Sequence, residues 1–299
     1  MDEREVLAGR FEADRGRLRA VAYRMLGSLS DADDAVQETW LRLHRADASG
    51  GGRVENLPGW LTTVLGRVCL DMLRARRARR DDPAGSDVPA AADGVGDPEE
   101  EALLADSVSR ALLVVLERLS PAERVAFVLH DLFAVPFDEI GPVVGRSPVT
   151  AKKLASRARS RVRGADAAGG TDRATHRRVV EAFLAAARGR DLAGLLAVLD
   201  PDVVRRADPA ALPPGVPAEI RGARAVVEET VLLAERSAFA EPALVGGSVG
   251  LVVAPYGRLA LALAVTVEHD RITSYEVVAD PARLARLDLA VLDLPAEAA

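Results

Sequence analysis

Residues 147–163 read SPVTAKKLASRARSRVR. Ser147 followed by Pro148 is a helix start: the hydroxyl accepts a hydrogen bond from a free N–H of the first turn, and proline fits the first helical position. At ~100° per residue, Ala151, Leu154, Ala155, Ala158 and Val162 fall on one stripe. Lys152, Lys153, Arg157, Arg159, Arg161 and Arg163 all fall outside it, and with Arg146 the segment carries seven positive charges and no negative one. Just upstream lie a short helical pattern, Phe137–Val144, and a tight turn, Gly145-Arg146-Ser147. Helix, Gly-containing turn and basic amphipathic helix is the layout of a helix-turn-helix, whose second helix enters the DNA major groove. A basic face taken alone reads more readily as a solvated surface; the preceding helix and turn shift the balance to DNA.

Working outward, the 299 residues are enough for two or three domains. The single cysteine, Cys69, excludes an intramolecular disulfide and reads as a small apolar filler. Four scattered histidines give no metal-ligand spacing, and no metal or cofactor is expected. The charged N-terminus lacks an apolar signal core and no run of 18 apolar residues occurs, so a cytoplasmic protein without a membrane anchor is expected. The net charge of −6 is unevenly spread: +3 over residues 1–80, −8 over 81–102, +4 over 103–165 and −5 over 166–299. Contact with phosphates follows the local field rather than the total.

In chain order, residues 3–27 read as a helix ending at Gly27, and Ser30 opens a second with Asp33 three residues on. Ala32, Ala35, Val36, Thr39 and Leu43 form the buried stripe of that second helix. Its opposite face holds Asp33, Asp34, Gln37, Glu38 and His44 around Leu41, which reads equally as a protein-binding surface and as a solvated face with one stray leucine. Residues 47–55 form a Gly-rich loop. Pro58–Arg80 is a third helix, with Leu61, Val64, Leu65, Val68 and Met72 facing a core. Trp60, Thr63, Arg67, Leu70 and Arg74 lie on its other side, and five arginines fall within residues 74–80. An aromatic beside several arginines suits stacking on unpaired bases and contact with phosphate.

Residues 81–101 read as an acidic tether. Residues 103–132 give two helices divided at Leu119-Ser120-Pro121, where Ser120 and Glu123 form a capping box. Pro142 inside the short helix predicts a kink or an early stop. Residues 164–172 read as a second linker. Beyond it come helices at 176–188, 191–199 and 223–235, a possible strand at 202–206, strands at 243–246, 249–253, 259–268 and 272–278, and a last amphipathic stretch at 282–294. Helices followed by an antiparallel meander argue for an α+β unit.

The stretch SDADDAVQETWLRL from Ser30 resembles region two of bacterial sigma factors, as does Leu57-Pro-Gly-Trp-Leu-Thr-Thr-Val with Cys69-Leu-Asp-Met-Leu-Arg-Ala-Arg-Arg. The stretch Leu119-Ser-Pro-Ala-Glu-Arg-Val-Ala-Phe-Val-Leu, with Phe137-Asp-Glu-Ile through Arg161, resembles region four. With only an acidic linker between them, the order is similar to the extracytoplasmic-function group. A SnoaL-like (NTF2-like) tail further resembles the SigJ-like subgroup. The resemblance implies a multidomain fold: two all-α sigma domains, a region-two bundle and a region-four helix-turn-helix, then an α+β cone-shaped NTF2-like domain. The implied division is 1–80 (region two), 81–102 (linker), 103–165 (region four), 166–173 (linker) and 174–299 (tail).

It also implies partners and roles. Asp33, Asp34, Gln37, Glu38 and Leu41 would meet the β′ clamp helices of core RNA polymerase, and region four its β flap. Trp60, Thr63, Arg67, Arg74, Arg76 and Arg77 would open and hold the promoter's minus-ten strand; Lys152, Lys153 and Arg157 would read the minus-thirty-five duplex. The subgroup dispenses with a separate anti-sigma protein, the tail modulating activity instead. Arg67 stands where the group often has Asn. Asp208-Pro-Ala-Ala-Leu replaces an Asp-Gly-Gly-Gly-Lys run, and Asp280-Pro-Ala-Arg-Leu partly matches Asn-Pro-Asp-Lys-Leu. The expectation is a non-enzymatic promoter-specificity subunit. Two alternatives stand beside it: a helix-turn-helix regulator acting without polymerase, and a ligand-binding or catalytic tail whose cavity Asp208, Arg221, Tyr256, Glu268 and Tyr275 would approach.

Overall fold

The computed structural model describes residues 3–48, 56–80, 109–164 and 170–293. The expected tether at 81–102, nearly all of the 47–55 loop and residues 165–169 of the second linker lie outside them. The described chain forms two compact units: residues 3–48, 56–80 and 116–159 make the first, and residues 109–115 and 160–293 the second. Among the described residues no helix is long and apolar enough to cross a membrane.

The first unit opens with α1 (Glu3–Leu26), stopped by Gly27 at φ +69 with its N–H on the Tyr23 carbonyl. That left-handed conformation suits a residue without a Cβ. Helix α2 (Leu29–Ala48) buries the expected stripe. Its cap is Ser28 rather than Ser30: the Ser28 hydroxyl accepts from Asp31 N–H at 3.4 Å, and the helix has already begun at Leu29. Helix α3 (Leu57–Arg80) is capped by Asn56, whose Oδ1 accepts from Gly59 N–H at 3.1 Å. Its core stripe is buried as expected except Met72, which is half-exposed, whereas Leu70, expected on the outer side, is buried at 2% exposure. The reason is a second packing face: α3 is also covered by the downstream helices. Cys69 is buried between these faces, and burial pushes its thiol up to about 12, so it stays a packing group.

Helix α4 is Arg110–Glu117, and α5 (Pro121–Phe127) starts on the expected Ser120–Glu123 capping box, both halves of which form. It runs into a π-helical turn, Val128–Leu132. Helix α6 (Phe137–Val144) passes through Pro142 without the expected early stop. The carbonyl that proline leaves free belongs to Asp138, and both residues are exposed, so water satisfies it. Helix α7 is Pro148–Arg163.

The second unit carries α8 (Gly170–Gly189), which starts inside the stretch read as linker, then α9 (Leu192–Val198), capped by Asp191. There follow β1 (Leu199–Ala207), β2 (Glu219–Arg221), α10 (Ala223–Leu232), α11 (Ala234–Ser237), β3 (Ala240–Val245), β4 (Ser248–Val253), β5 (Leu261–Glu268), β6 (Arg271–Val278), α12 (Pro281–Arg286) and β7 (Leu289–Ala290). The sheet order is β2-β1-β6-β5-β4-β3-β7. The β3–β6 meander is antiparallel as expected, but β1 joins it parallel to β6. The last amphipathic stretch is not one helix: it divides into α12 and the edge strand β7. The core holds Val180, Leu195, Leu199, Val203, Val226 and Ile272, all fully buried. Helices packed on a largely antiparallel sheet give the α+β class expected of an NTF2-like domain.

Candidate functional site

The α6–turn–α7 pair is built by two glycines. Gly145 takes φ +68, a left-handed cap. A Cβ on Gly141 would lie 2.8 Å from the Arg146 carbonyl oxygen, so only glycine lets the turn fold back this tightly. Ser147 caps α7 as expected, its Oγ accepting from Thr150 N–H at 3.3 Å. Ala151, Ala155, Ala158 and Val162 are fully buried, and Leu154 is half-buried. Lys152, Lys153 and Arg157 project into solvent together, with Arg161 and Arg163 exposed further along. Arg159 differs: its guanidinium turns back onto Asp131 of the π turn, so it anchors α7 to the unit.

On α2, Asp34, Gln37 and Leu41 are exposed, Leu41 at 41%. Asp33 accepts two hydrogen bonds from Arg19, at 2.7 and 3.1 Å. Glu38 accepts from Arg42 at 2.9 Å and lies 3.9 Å from Arg45. Such surface pairs are worth about 0–1 kcal/mol, so a cationic partner can exchange for them. The feature a partner would meet first is the apolar Leu41 between open carboxylate and amide groups.

On α3, Trp60 and Thr63 are half-buried, and Arg67, Arg74 and Arg77 are exposed. Arg74 stands 3.8 Å from Asp71. Arg76 turns inward: it pairs with Asp31 and donates to the Leu26 carbonyl at 2.9 Å, joining α3 to the start of α2. A helical wheel places an arginine on a face but says nothing of an acid on a neighbouring helix, so the wheel misses this tie and that of Arg159. Deeper in α3, Gly66 meets Val143 of α6 and Leu129 of the π turn; a Cβ there would sit 2.9 Å from Val143 Cγ1.

The second unit carries a half-open cavity of about 110 Å³ between α8, α10 and the sheet. Of the five tail residues expected near it, only Tyr275 lines it; Asp208, Arg221, Tyr256 and Glu268 do not. The polar residues that sequence reasoning missed are Arg205, Glu229, Thr230, Arg236 and Ser237. Arg205 is 1% exposed and holds Glu229 with two N–H groups, the Nε–Oε2 bond being 2.7 Å, while Nη1 donates to the Pro217 and Ala218 carbonyls. The signal was present: Val203, Arg205 and Ala207 alternate inward on β1, an odd place for an arginine. Burial raises the Tyr275 phenol to about 12, with Thr230 hydrogen-bonded to it, so it remains neutral.

Asp208 does other work. One oxygen accepts from the Ala279 and Asp280 N–H groups, each at 3.0 Å, and the other pairs with Arg283, so it ties the end of β1 to the start of α12. Burial alone would raise its pKa; the Asp280 and Ala279 N–H groups and Arg283 outweigh that and lower it. A lowered carboxyl pKa contributes stability that is fully present above the ordinary carboxylate range and is lost as pH falls through the lowered value. The second unit should therefore melt progressively earlier below pH ~4, and Asp208→Asn should lower its melting temperature at pH 7 while flattening that acid slope. An acid slope identical in the Asn variant would exclude Asp208 as its source.

With this geometry in place, the chain can be set beside known proteins. Residues 10–79 match the Sigma-70 region 2 family, and residues 109–162 the Sigma-70, region 4 family. The chain is 38% identical over 288 residues to the ECF RNA polymerase sigma factor SigJ of Mycobacterium tuberculosis, covering 91% of each. It is 38% identical over 213 residues to the probable ECF RNA polymerase sigma factor SigI of the same species, covering 70% of this chain and 72% of that one. Among solved structures it matches the extracytoplasmic function sigma factor SigJ of Mycobacterium tuberculosis at a TM-score of 0.43 and 33% identity, over 92% of this chain and 97% of that one.

Proposed function

Given that this chain belongs to the extracytoplasmic-function RNA polymerase sigma factors, we propose how its surfaces divide the work of promoter-specific initiation. Region two spans 1–80, region four 103–165 and the tail the residues from Gly170 onward, where α8 begins, with a linker at 81–102. Asp33, Asp34, Gln37, Glu38 and Leu41 dock on the β′ clamp helices of core polymerase, and region four docks on the β flap. Trp60 and Thr63 receive unstacked minus-ten bases, while Arg67, Arg74 and Arg77 hold the strand. Arg76, already committed to Asp31, supports that face from behind. Lys152, Lys153 and Arg157 enter the minus-thirty-five major groove. The observation that carries this reading is the exposed Lys152–Lys153–Arg157 cluster on a helix whose opposite, alanine-lined stripe is fully buried. The protein acts in the cytoplasm, catalyses no reaction of its own and is modulated by its tail rather than by a separate anti-sigma protein.

Run-off transcription with core enzyme on genomic DNA, followed by start-site mapping, tests this. A discrete set of starts that depends on the protein is expected. A start-site profile no different from that of core alone would remove the assignment of roles.

The Gly66 contact bears on the same mechanism. The two promoter elements lie about 25 base pairs apart, roughly 85 Å of duplex at 3.4 Å per step. A molecule whose α3 touches Val143 of α6 cannot reach both, so this contact separates on engagement. Gly66→Glu places a charge against Val143 and Leu129 and should raise the opened fraction about tenfold. Small-angle scattering should show the larger radius, and binding to core polymerase should tighten. An unchanged radius in a folded variant would argue against the opening step.

A further inference from the structure

The cavity of the second unit has walls from α8, α10 and the sheet, with Phe183, Leu184, Leu251, Val253 and Leu263 supplying apolar surface. Each charged or hydroxylic group on it already has a protein partner. Arg205 is neutralised by Glu229 and donates to two carbonyls besides. Thr230 donates to the Val226 carbonyl at 2.8 Å, Ser237 to that of Ala234, and Arg236 to that of Ala211 at 2.6 Å. Glu229 is taken up by Arg205, and Arg236, which bonds a carbonyl rather than a carboxylate, is an exposed residue whose charge stays in water at the rim, so a charged ligand moving inside would lose its hydration without gaining a counter-charge there. An uncharged apolar one has no charge to desolvate and meets a surface that is mostly apolar. Its 110 Å³ compares with the roughly 150 Å³ of an engineered apolar cavity that takes up benzene. The scale is that of a single ring.

The cavity wall also leads somewhere. Ser237 and Ala240 line it. Between and beside them, Phe239 and Glu241 hold residues 109–115, which belong to the same compact unit. Glu241 accepts from Ser109 Oγ at 2.5 Å and from Ala111 N–H at 3.1 Å. The Arg110 guanidinium lies 5.9 Å from the centre of the Phe239 ring. On the other side, a Cβ on Gly257 would fall 2.7 Å from Leu113, so the chain there is in close contact with α4. The residues that close the cavity are therefore continuous with those that grip the first turn of region four.

We propose that this cavity is a receptor for a small uncharged ring compound, aromatic or alicyclic, and that its occupancy is passed through residues 237–241 to the first turn of α4. The second half rests on the reading that the tail modulates the sigma regions. Filling the cavity fixes the Ser237–Ala240 wall and with it the Glu241 and Phe239 grip. An empty cavity leaves that wall free to relax inward and loosen the grip.

Toluene is the probe, added to the full chain and followed by methyl NMR and by hydrogen exchange. Saturable binding is expected, with shifts at Leu184, Leu251 and Val253 methyls. Benzylammonium and benzoate, the same ring bearing a charge, should bind at least about tenfold more weakly. Leu263→Trp should fill the space and weaken toluene about tenfold. Leu263→Ala should enlarge it and admit naphthalene, which the unaltered protein excludes. Saturating toluene should slow exchange at the Ala111 amide. Absence of saturable toluene binding, equal binding of the charged rings, or toluene binding indifferent to both Leu263 variants would overturn the receptor. Binding without altered exchange at residues 109–115 would overturn the transmission. None of these readouts uses polymerase or promoter, so their failure is distinguishable from a failed run-off assay.

Discussion

Replacing Glu229 by leucine should destabilise the second unit by about 3–5 kcal/mol, because it leaves the Arg205 guanidinium buried without its carboxylate. Arg205 is 1% exposed, its register partners are Ile220 on β2 and Tyr275 on β6, and it cannot swing into water without leaving the sheet. The remaining acceptors, the Pro217 and Ala218 carbonyls, satisfy its N–H groups but not its charge. Arg205→Leu alone should be harmful in the mirror sense, stranding Glu229 beside an apolar wall. The double variant, Arg205→Met with Glu229→Leu, should recover most of the loss, since a buried pair exchanged for hydrophobic groups of similar volume is often neutral or better. The Ala218 carbonyl keeps its bond from the Ala207 N–H, at 2.9 Å, and that of Pro217, an exposed residue, can turn to solvent. Urea unfolding followed by circular dichroism, with hydrogen exchange on β1 and β6, reads the effect. If the double variant is as unstable as either single one, the pair is not the coupled unit its geometry indicates.

That pair also marks where the sequence stops being informative. Local chemistry was legible: Ser120-Pro121 with Glu123 announced a capping box, Gly145 a left-handed helix end, and the alanine spacing of α7 its buried stripe. Each is decided within one turn of chain. Residues whose state depends on a distant partner were not. Leu70 looks like a member of an outer face but is buried, and nothing near Gly66 in the chain announces its contact with α6 and the π turn. Arg76 and Arg159 look like free cations until Asp31 and Asp131 are placed beside them. The edge strands β2 and β7 span three and two residues, too few for an alternating pattern to appear. The parallel pairing of β1 with β6 joins segments some seventy residues apart, which no local propensity encodes. Of the cavity, Tyr275 was within reach because an aromatic on a strand interior has to go inward. Arg205 required the alternation on β1 to be trusted over the usual exposure of arginine.

Substituting Lys152, Lys153 and Arg157 together by alanine should lower output from minus-thirty-five-dependent promoters by about two to three orders of magnitude, since each base or phosphate contact supplies about 1–3 kcal/mol and adjacent contacts share part of it. Helix α7 should remain folded: its buried stripe is untouched, and Arg159 still anchors it on Asp131. Stability measured by heat or urea should thus move little while transcription collapses. The salt dependence provides the second signature. Three phosphate-directed charges removed should flatten the slope of log binding against log salt by at most about 2.7, and by less for any charge that reads a base edge. Arg157→Lys separates those roles: it keeps the positive charge but loses the planar fork suited to guanine, so the salt slope should hold while discrimination among promoters relaxes. Arg159→Ala is the opposite control. It should lower stability by releasing Asp131, with promoter preference unchanged in the molecules that stay folded. A triple variant with full output at such promoters would mean that the exposed face of α7 is solvated surface after all, and that promoter contact lies elsewhere in region four.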